Sequence, residues 1–576
     1  MIDDRPWFER FPELEAWEFQ RFTERGLPAQ VDQGRRDDGQ LVIATQLTYR
    51  DAPLAIEVRY PSEYPELPPV VYGPPKLLDR HQHQIGANFC LLERPLDDWK
   101  ARDWGAADLV AEQLVGLLAD TVAGADVMRE REAPMPEPST SFLSYARDAA
   151  VIVPGELAAL AQAQGQLRLG RVTPHLYVVE NIDSTKSEGA LDKVLPAQKH
   201  ITAKYQRFDQ PPLVDDGSGA AVVAWLRAHH PHLLSRRLPR ALVRNGKAPA
   251  QPTTELLALV FPEEGPGVGE TRDAWVFVCI DRSDGNERPF LFHAQVISPT
   301  ERARRIPDLP GLPESRVVVL GVGSVGGDVA IELARAGVGH LELVDFDRFE
   351  ATNTVRHPLG LDFAGLPKNG AVAIACHRAN PYCTAVPHDM RLGADDWSVG
   401  DAPIERLARL LENADLVIEA TGSHQIAQFA SRLCADADLP LVAGWMTDGF
   451  YGAEVVRIAP GETMCWTCFA SGHRGGSLPH AESGPEQTVV VQGCSHPTVA
   501  GAGFDVAECA ALLTRLSVGT LESDTYPQQP WNYAAISFRR APDDPQTPRM
   551  ATDMLVPWEG CHQCQAVGLP GAPTTN

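Results

Sequence analysis

Apolar and polar positions change period several times along the 576 residues. Residues 11–25 repeat at helical spacing. Residues 41–49 and 54–60 read as strands, and the proline-rich stretch 60–70 follows as an extended turn. Residues 106–122 predict a helix whose stripe is Leu109, Leu114, Leu117 and Leu118. Farther on, 256–261, 274–280 and 290–297 read as strands, while 157–166 and 220–229 read as helices. Residues 317–320 are continuously apolar and lead through Gly321, Gly323 and Gly326 into a helix and a second strand ending at Asp345. A strand is expected at 416–420 and a helix at 503–516. By composition 131–140 is a linker, 262–270 a surface loop and the last dozen residues a loose tail. No internal repeat stands out. The division is therefore 1–130, a connecting α+β region at 141–305, and 306–576.

Composition narrows the class. A 44% hydrophobic and 22% charged chain with net charge −25 reads as a globular protein. Its acidity argues against nucleic acid as the main partner, because phosphate binding needs a cationic surface. No apolar run is long enough to span a bilayer, and the start MIDDRPWFER lacks a secretory pattern, so a cytoplasmic protein is expected. In that compartment eleven cysteines read as free, catalytic or metal-bound.

The region 316–368 carries the most chemistry. Its strand, glycine turn and helix form a phosphate-cradling βαβ unit, and Asp345 is placed for a ribose. Asp347, Asn353, Arg356 and Lys368 then bring an amide and two cations to the same nucleotide. Such cations suit departing phosphates better than hydride transfer. The pattern GxGxxG…DxDxFExxNxxRH…K resembles the ubiquitin-activating, ThiF and MoeB adenylation family. That resemblance implies a doubly wound, Rossmann-like α/β domain, usually homodimeric, that uses MgATP to adenylate the C-terminal carboxylate of a small protein. Asp345 would then hold the ribose, Asn353 the phosphate oxygens, and Arg356 and Lys368 the charge that develops as pyrophosphate leaves. Where the family carries a magnesium-binding aspartate, Gly422 stands here, leaving Glu419, Asp345 or Asp347 as substitutes. The run Arg302, Arg304, Arg305 reads as a solvated basic patch, or as arginines lent to a second subunit's ATP.

Two further sets of cysteines matter. Tyr60-Pro61, Tyr64-Pro65 and Pro68-Pro69-Val70, followed by His81, His83, Cys90, Trp99 and Trp104, resemble an α+β ubiquitin-conjugating domain. There Cys90 would carry a thioester. The family's His-Pro-Asn is replaced by HQHQIGANFC, so His81, His83 or Asn88 could support the oxyanion; His83 is preferred, with a solvated histidine as its alternative. For Cys90 the alternative is a small buried hydrophobe. Cys465-x-x-Cys468 and Cys561-x-x-Cys564 form a split pair whose four thiolates suit structural Zn2+. Between them Cys494 lies in the segment corresponding to the family's crossover loop and is the candidate first acceptor. Cys279, Cys376, Cys383, Cys434 and Cys509 read as core.

The order of domains resembles the bacterial fused activating–conjugating enzymes of CBASS anti-phage operons. The resemblance implies that a partner with a free flexible C-terminus, a cGAS/DncV-like nucleotidyltransferase or a ubiquitin-like protein, passes from adenylate to Cys494, to Cys90 and to an amine. A sulfur-carrier activator that leaves Cys90 idle and a non-catalytic nucleotide-binding scaffold are the alternatives.

Overall fold

Strand alternation sets the first sheet. Val42–Tyr49 and Ala52–Arg59 pair antiparallel in the register Val42↔Arg59 to Tyr49↔Ala52. They are joined at Arg50 and Asp51, both at positive φ (50° and 60°), as a tight hairpin whose twist matches its strands requires. This computed structural model describes residues 5–565 except 79, 84, 93–94, 102, 124–136, 147, 160–161, 188–190, 192–193, 213, 215, 235–253, 266, 268–269, 283–285, 393–402, 485–487, 490–497, 500 and 539–547. They fall into two units, Met1–Ser187 with Ala197–Val296, and Glu188–Pro196 with Ile297–Asn576.

In the first unit, Gln30–Val31 and Val70–Tyr72 complete a four-stranded sheet. The helix Pro12–Glu24 and the helical stretch from Ala106 onward pack with it around Trp7, Phe22, Ile43, Val58, Tyr64 and Val110. A buried carboxylate organises the proline turn. Glu18 accepts from Tyr60 Oη at 2.8 Å, from Tyr64 Oη, and from the Ala106 amide at 3.0 Å. Burial pushes its pKa above the ordinary value despite these donors. The two tyrosines of the Tyr-Pro pairs thus bind one carboxylate on the first helix, and Trp99 Nε1 donates to Pro65 O at 2.7 Å.

The connecting region is richer in strand than its sequence indicates. Its eight strands run Ala150–Pro154, Arg288–Ile297, Thr271–Asp281, Thr254–Glu264, Lys199–Arg207, Gln164–Arg171, Leu176–Ile182 and Thr185–Lys186. Ala150–Pro154 also pairs with Leu176–Ile182, which closes the sheet on itself around Val151, Leu169, Tyr205, Val260 and Phe277. The helix Gly219–His229 covers part of the outer face through Val222, Val223 and Leu226. The helix expected over 157–166 is corrected. Helix ends at Ala158 and Gln164 opens a strand, because Leu167 and Leu169 alternate inward while Gln166 and Arg168 face out. The surface loop expected at 262–270 is in part the strand ending at Glu264.

The second unit is an eight-stranded sheet in the order Thr384–Asp389, His340–Asp345, Arg316–Leu320, Leu416–Glu419, Leu441–Met446, Gly452–Ile458, Tyr533–Ser537 and Arg549–Asp553. The first five are parallel and the rest antiparallel. The sequence order reverses between Arg316–Leu320 and Leu416–Glu419, which opens a crevice at their C-terminal ends. Helices Ser324–Ala336, Lys368–Ala379 and Gly503–Leu521 cover one face and His424–Asp436 the other, so both faces bury apolar side chains. No helix among the described residues is long and apolar enough to cross a membrane.

Candidate functional site

The glycine turn lies at that reversal point. Gly321 has φ +82°, and a Cβ there would meet the Thr421 backbone at 2.9 Å. At Gly326 a Cβ would come within 1.9 Å of Gly321 O. Gly321 thus lets the turn approach the backbone beyond the neighbouring strand, and Gly326 lets the helix start approach the turn itself. Gly323 differs, since a Cβ there would enter open space. The helix Ser324–Ala336 begins immediately after it with no side-chain cap, so its first N–H groups and positive dipole end are available to an anion.

The neighbouring strand ends supply the polar groups. Asp345 accepts from the Val322 amide at 2.9 Å and the Asp347 amide at 2.8 Å, and its carbonyl accepts from Asn369 Nδ2 at 2.9 Å. Burial raises its pKa, opposed by these amides and by Lys368. A carboxylate has about four acceptor sites, so two amides leave Asp345 capacity for a ribose hydroxyl. Lys368 Nζ pairs with Asp347 Oδ2 at 2.9 Å, and its amide donates to Asp347 O at 2.8 Å. Arg356 is half-buried, its guanidinium 6.0 Å from the Phe450 ring, and burial lowers its pKa. Asn353 Oδ1 accepts from the Glu350 amide at 3.1 Å, which shapes the loop Ala351–Val355. Its amide nitrogen remains the group that can donate to a ligand.

Among the magnesium candidates the side chains divide. Glu419 turns inward and accepts from Thr421, through its amide at 3.0 Å and its hydroxyl. Its carboxyl is pushed up to about 7 by burial. Asp345 is bound by amides, whereas Asp347 keeps an exposed edge beside Lys368. Gly422 has φ +74° in open space, so an aspartate there would carry backbone strain. Of the run, Arg304 and Arg305 are exposed, while Arg302 is tied down. It donates to Ala379 O and Arg335 O, both at 3.2 Å, and so caps the last turns of two helices.

One residue of the motif carries no role in the sequence reading. His357 is buried, with Nε2 3.1 Å from Val322 O and its ring edge-on to Phe349 at 5.0 Å. Burial holds it neutral, pushed down to about 4. It props the glycine turn from beneath, since a Cβ on Gly327 would meet its Nε2 at 3.0 Å. Its signal is its position in the Arg356-His357 pair of the motif.

In the first unit Cys90 is exposed at the end of a short hairpin. Its amide donates to His81 O at 2.7 Å, and His83 and Asn88 pair within the turn. His83 Nδ1 accepts from the Gly86 amide at 2.6 Å, and its ring packs edge-on against Phe142 at 4.6 Å. Burial lowers its pKa. His83 is thus neutral and committed to its own loop. Glu137 reaches the same hairpin, accepting from the His81 amide at 2.9 Å. Its own amide donates to Glu264, which pairs with Arg80 at 3.0 Å. Partial burial, then the charge on Glu137, raises the Cys90 thiol. Nothing in the sequence marked Glu137, which lies in the expected linker.

The split cysteines converge. Cys465 Sγ is 3.8 Å from Cys561 Sγ, Cys468 Sγ is 3.8 Å from Cys564 Sγ, and all four sulfurs lie within 4.8 Å of one another. A tetrahedron with Zn–S bonds of about 2.3 Å has sulfur–sulfur edges of roughly 3.8 Å, so the cluster fits a thiolate-bound metal. Cys494 lies outside the described residues. Cys279, Cys376, Cys383, Cys434 and Cys509 are buried.

Comparison with known proteins places the second unit. Residues 305–550 match the ThiF family. Protein y4oA of Sinorhizobium fredii is 26% identical over 593 residues, covering 97% of this chain and 98% of its own. Molybdopterin-synthase adenylyltransferase of Escherichia coli is 34% identical over 134 residues, 23% of this chain and 50% of its own. Ubiquitin-like modifier-activating enzyme 5 of Drosophila ananassae is 28% identical over 211 residues, 35% of this chain and 52% of its own. The chain thus spans about half the length of the latter two, and the similarity to y4oA runs through both units. The crevice at the reversal of the parallel sheet, the glycine turn open at Gly323 and the Lys368–Asp347 pair beside it all lie within the residues that match the ThiF family.

Proposed function

We propose that this protein uses MgATP to adenylate the C-terminal carboxylate of a partner protein and then relays the acyl group through Cys494 and Cys90 to an amine. The observation that carries the first step is the cradle: an uncapped helix start behind open Gly323, with Asp345, Asp347, Arg356 and Lys368 around it. A carboxylate oxygen of the partner attacks the α-phosphorus, the bond to the bridging oxygen breaks, and pyrophosphate carries away the charge. Arg356 and Lys368 stabilise that charge where it develops. Asp345 orients the ribose, and Asp347, with its exposed edge, is the residue to hold Mg2+.

The thiolate of Cys494 would next attack the acyl-adenylate and expel AMP. Exchange onto the Cys90 thiolate conserves the thioester, and attack by an amine then forms the amide and frees Cys90. The cysteine-bearing hairpin, held to the strand Val70–Tyr72 by the Phe89 amide donating to Val71 O at 2.8 Å, supports the second half of this reading. The four converging cysteines are assigned to structural Zn2+ that ties residues 561–564 to the domain. A cGAS/DncV-like nucleotidyltransferase in anti-phage defence is the proposed acyl donor.

The test is intact-mass analysis without reductant of the protein co-expressed with its operon neighbours, as parent, Cys90→Ala and Cys494→Ala. A thiol-labile adduct that persists in Cys90→Ala and vanishes in Cys494→Ala is expected. An adduct that maps to Cys494 alone and never to Cys90 in the parent protein, with pyrophosphate release intact, would replace the relay with a sulfur-carrier-type activator. No adduct and no pyrophosphate release, despite bound ATP, would sink adenylation itself.

A further inference from the structure

A second cluster of metal-ligating side chains stands apart from the four cysteines. Glu454 sits in the strand Gly452–Ile458, paired on both sides to Trp445 and Ala535, and only 2% of it is exposed. A carboxylate this deep in a sheet is costly unless its charge is met. His473, in the last turn of Trp466–Arg474, places Nε2 2.7 Å from Glu454 Oε2. The chain then reverses through Gly475 and Gly476, the latter at φ +72°, and returns His480. Its Nδ1 lies 4.0 Å from Glu454 Oε1, and the two imidazole rings stand 4.1 Å apart. The Ala481 amide donates to Glu454 Oε1 at 3.1 Å and fixes the carboxylate.

We propose that Glu454, His473 and His480 form a binding site for a divalent transition ion of the Zn2+ class. The three ligand atoms lie within 4.8 Å of one another. Nitrogen and oxygen ligands at about 2.0–2.2 Å from a metal sit roughly 3–3.5 Å apart; His473 Nε2 stands 2.7 Å from Glu454 Oε2 and His480 Nδ1 4.0 Å from the other oxygen, Oε1. His480 is exposed, so a rotation of its ring closes the difference without moving the sheet. The ion takes the place of the hydrogen bond between His473 Nε2 and Glu454 Oε2, whose proton passes to the ring's Nδ1 or to solvent.

The surroundings support a borderline ion rather than Mg2+ or Ca2+. Imidazole suits zinc, copper and nickel, while the harder ions take oxygen. Phe469 lies 5.6 Å and Trp445 6.4 Å from the His473 ring, giving an apolar wall on the buried side. The exposed side at His480 leaves room for water, as in sites with two histidines, one carboxylate and an open position. The ion would anchor the segment 475–484, which already hangs from the sheet through Glu482 N to Ser537 Oγ at 3.0 Å and from the turn Asp448–Phe450 through Gly484 N to Asp448 O at 2.9 Å. That segment leads directly to 485–497, which carries Cys494. The proposal does not depend on the adenylation reading.

Metal counted in the purified full-length protein, with Co2+ titration of the metal-stripped chain, tests it. Parent protein should hold one Zn2+ per chain more than His480→Ala, with melting curves confirming that both are folded. Co2+ at this site should give only weak d–d bands, because no thiolate contributes a charge-transfer band. Glu454→Gln should lose the same equivalent. Equal metal content and superimposable Co2+ titrations in parent, His480→Ala and Glu454→Gln would overturn the site. A His480-dependent band with thiolate character would overturn it equally, because the ion would then belong to the cysteine cluster.

Discussion

The nucleotide cradle and the Cys90 hairpin differ in how their reactive groups are held. In the cradle, Asp345 and Lys368 stand at the ends of regular elements, and each is fixed by backbone amides or by an ion pair between neighbours. In the hairpin, Cys90 follows a short irregular loop with His81 and Ala87 at positive φ, and the charge that acts on it, Glu137, comes from a distant part of the chain. Preorganisation is built into the first site by the sheet. At the second it depends on a tertiary contact. The first therefore suits electrostatic stabilisation of a leaving group, and the second suits a nucleophile whose reactivity can be adjusted.

The largest separation should come from Lys368→Ala. Removing a preorganised cation from a developing charge costs about 10²–10³ in rate. Partner-dependent pyrophosphate exchange should fall by that factor, while Cys90→Ala leaves it unchanged. Equal losses in the two variants would erase the division between the sites.

Within the cradle the glycines should also divide. Gly326→Ala drives a Cβ to 1.9 Å from Gly321 O and should cost about 3 kcal/mol or more, read as a lowered melting temperature. Gly323→Ala meets open space and should melt like the parent, yet bind ATP about tenfold more weakly, equivalent to about 1.4 kcal/mol. Calorimetry with ATP separates the outcomes. Unchanged affinity in Gly323→Ala would place the phosphates elsewhere.

These positions show what sequence could and could not reach. Arg316–Leu320, the glycine turn and Asp345 were legible because a buried parallel strand, a tight turn and a helix each leave a period or a breaker in the chain. The closed strand ring of the connecting region was only partly legible. Its partners are far apart in sequence, and Gln164–Arg171 is polar at every outward position. Glu137, Glu18 and Glu454 were invisible, because a carboxylate that is buried by tertiary packing looks in sequence like any solvated one. The converging cysteines were readable for the opposite reason: Cys-x-x-Cys spacing encodes its own local geometry.

Glu419 and His357 flank the glycine turn with opposed titrations. Glu419 is raised to about 7 from 4.5, so the folded protein keeps a proton that the unfolded chain loses. Its contribution to stability is present below pH 4.5 and lost as the pH rises towards 7. His357 is lowered to about 4 from 6.5, so its contribution is present above pH 6.5 and lost as the pH falls towards 4. Where these windows overlap the two slopes offset. Glu419→Gln removes one of them. Its stability relative to the parent, from urea unfolding, should rise by about 1.4 kcal/mol per pH unit between those limits and level off above pH 7. A difference independent of pH would mean that Glu419 is ionised throughout.

The smallest effect should come from Glu137→Gln, and it bears directly on the contrast between the sites. Glu137 raises the Cys90 thiol through its charge, after partial burial, while accepting from the His81 amide. Glutamine keeps an acceptor for that amide and removes the charge. The Cys90 pKa should fall, and labelling by iodoacetamide near neutral pH should quicken by a few-fold, roughly in proportion to the thiolate fraction. Mass mapping assigns the label to Cys90, and Cys376, buried in the other unit, serves as the unreactive control. Adding salt should narrow the gap between variant and parent, since a screened charge acts less at a partly exposed thiol. If the two proteins label alike at every pH, Glu137 acts only as a brace for the hairpin, and both sites are rigidly preset.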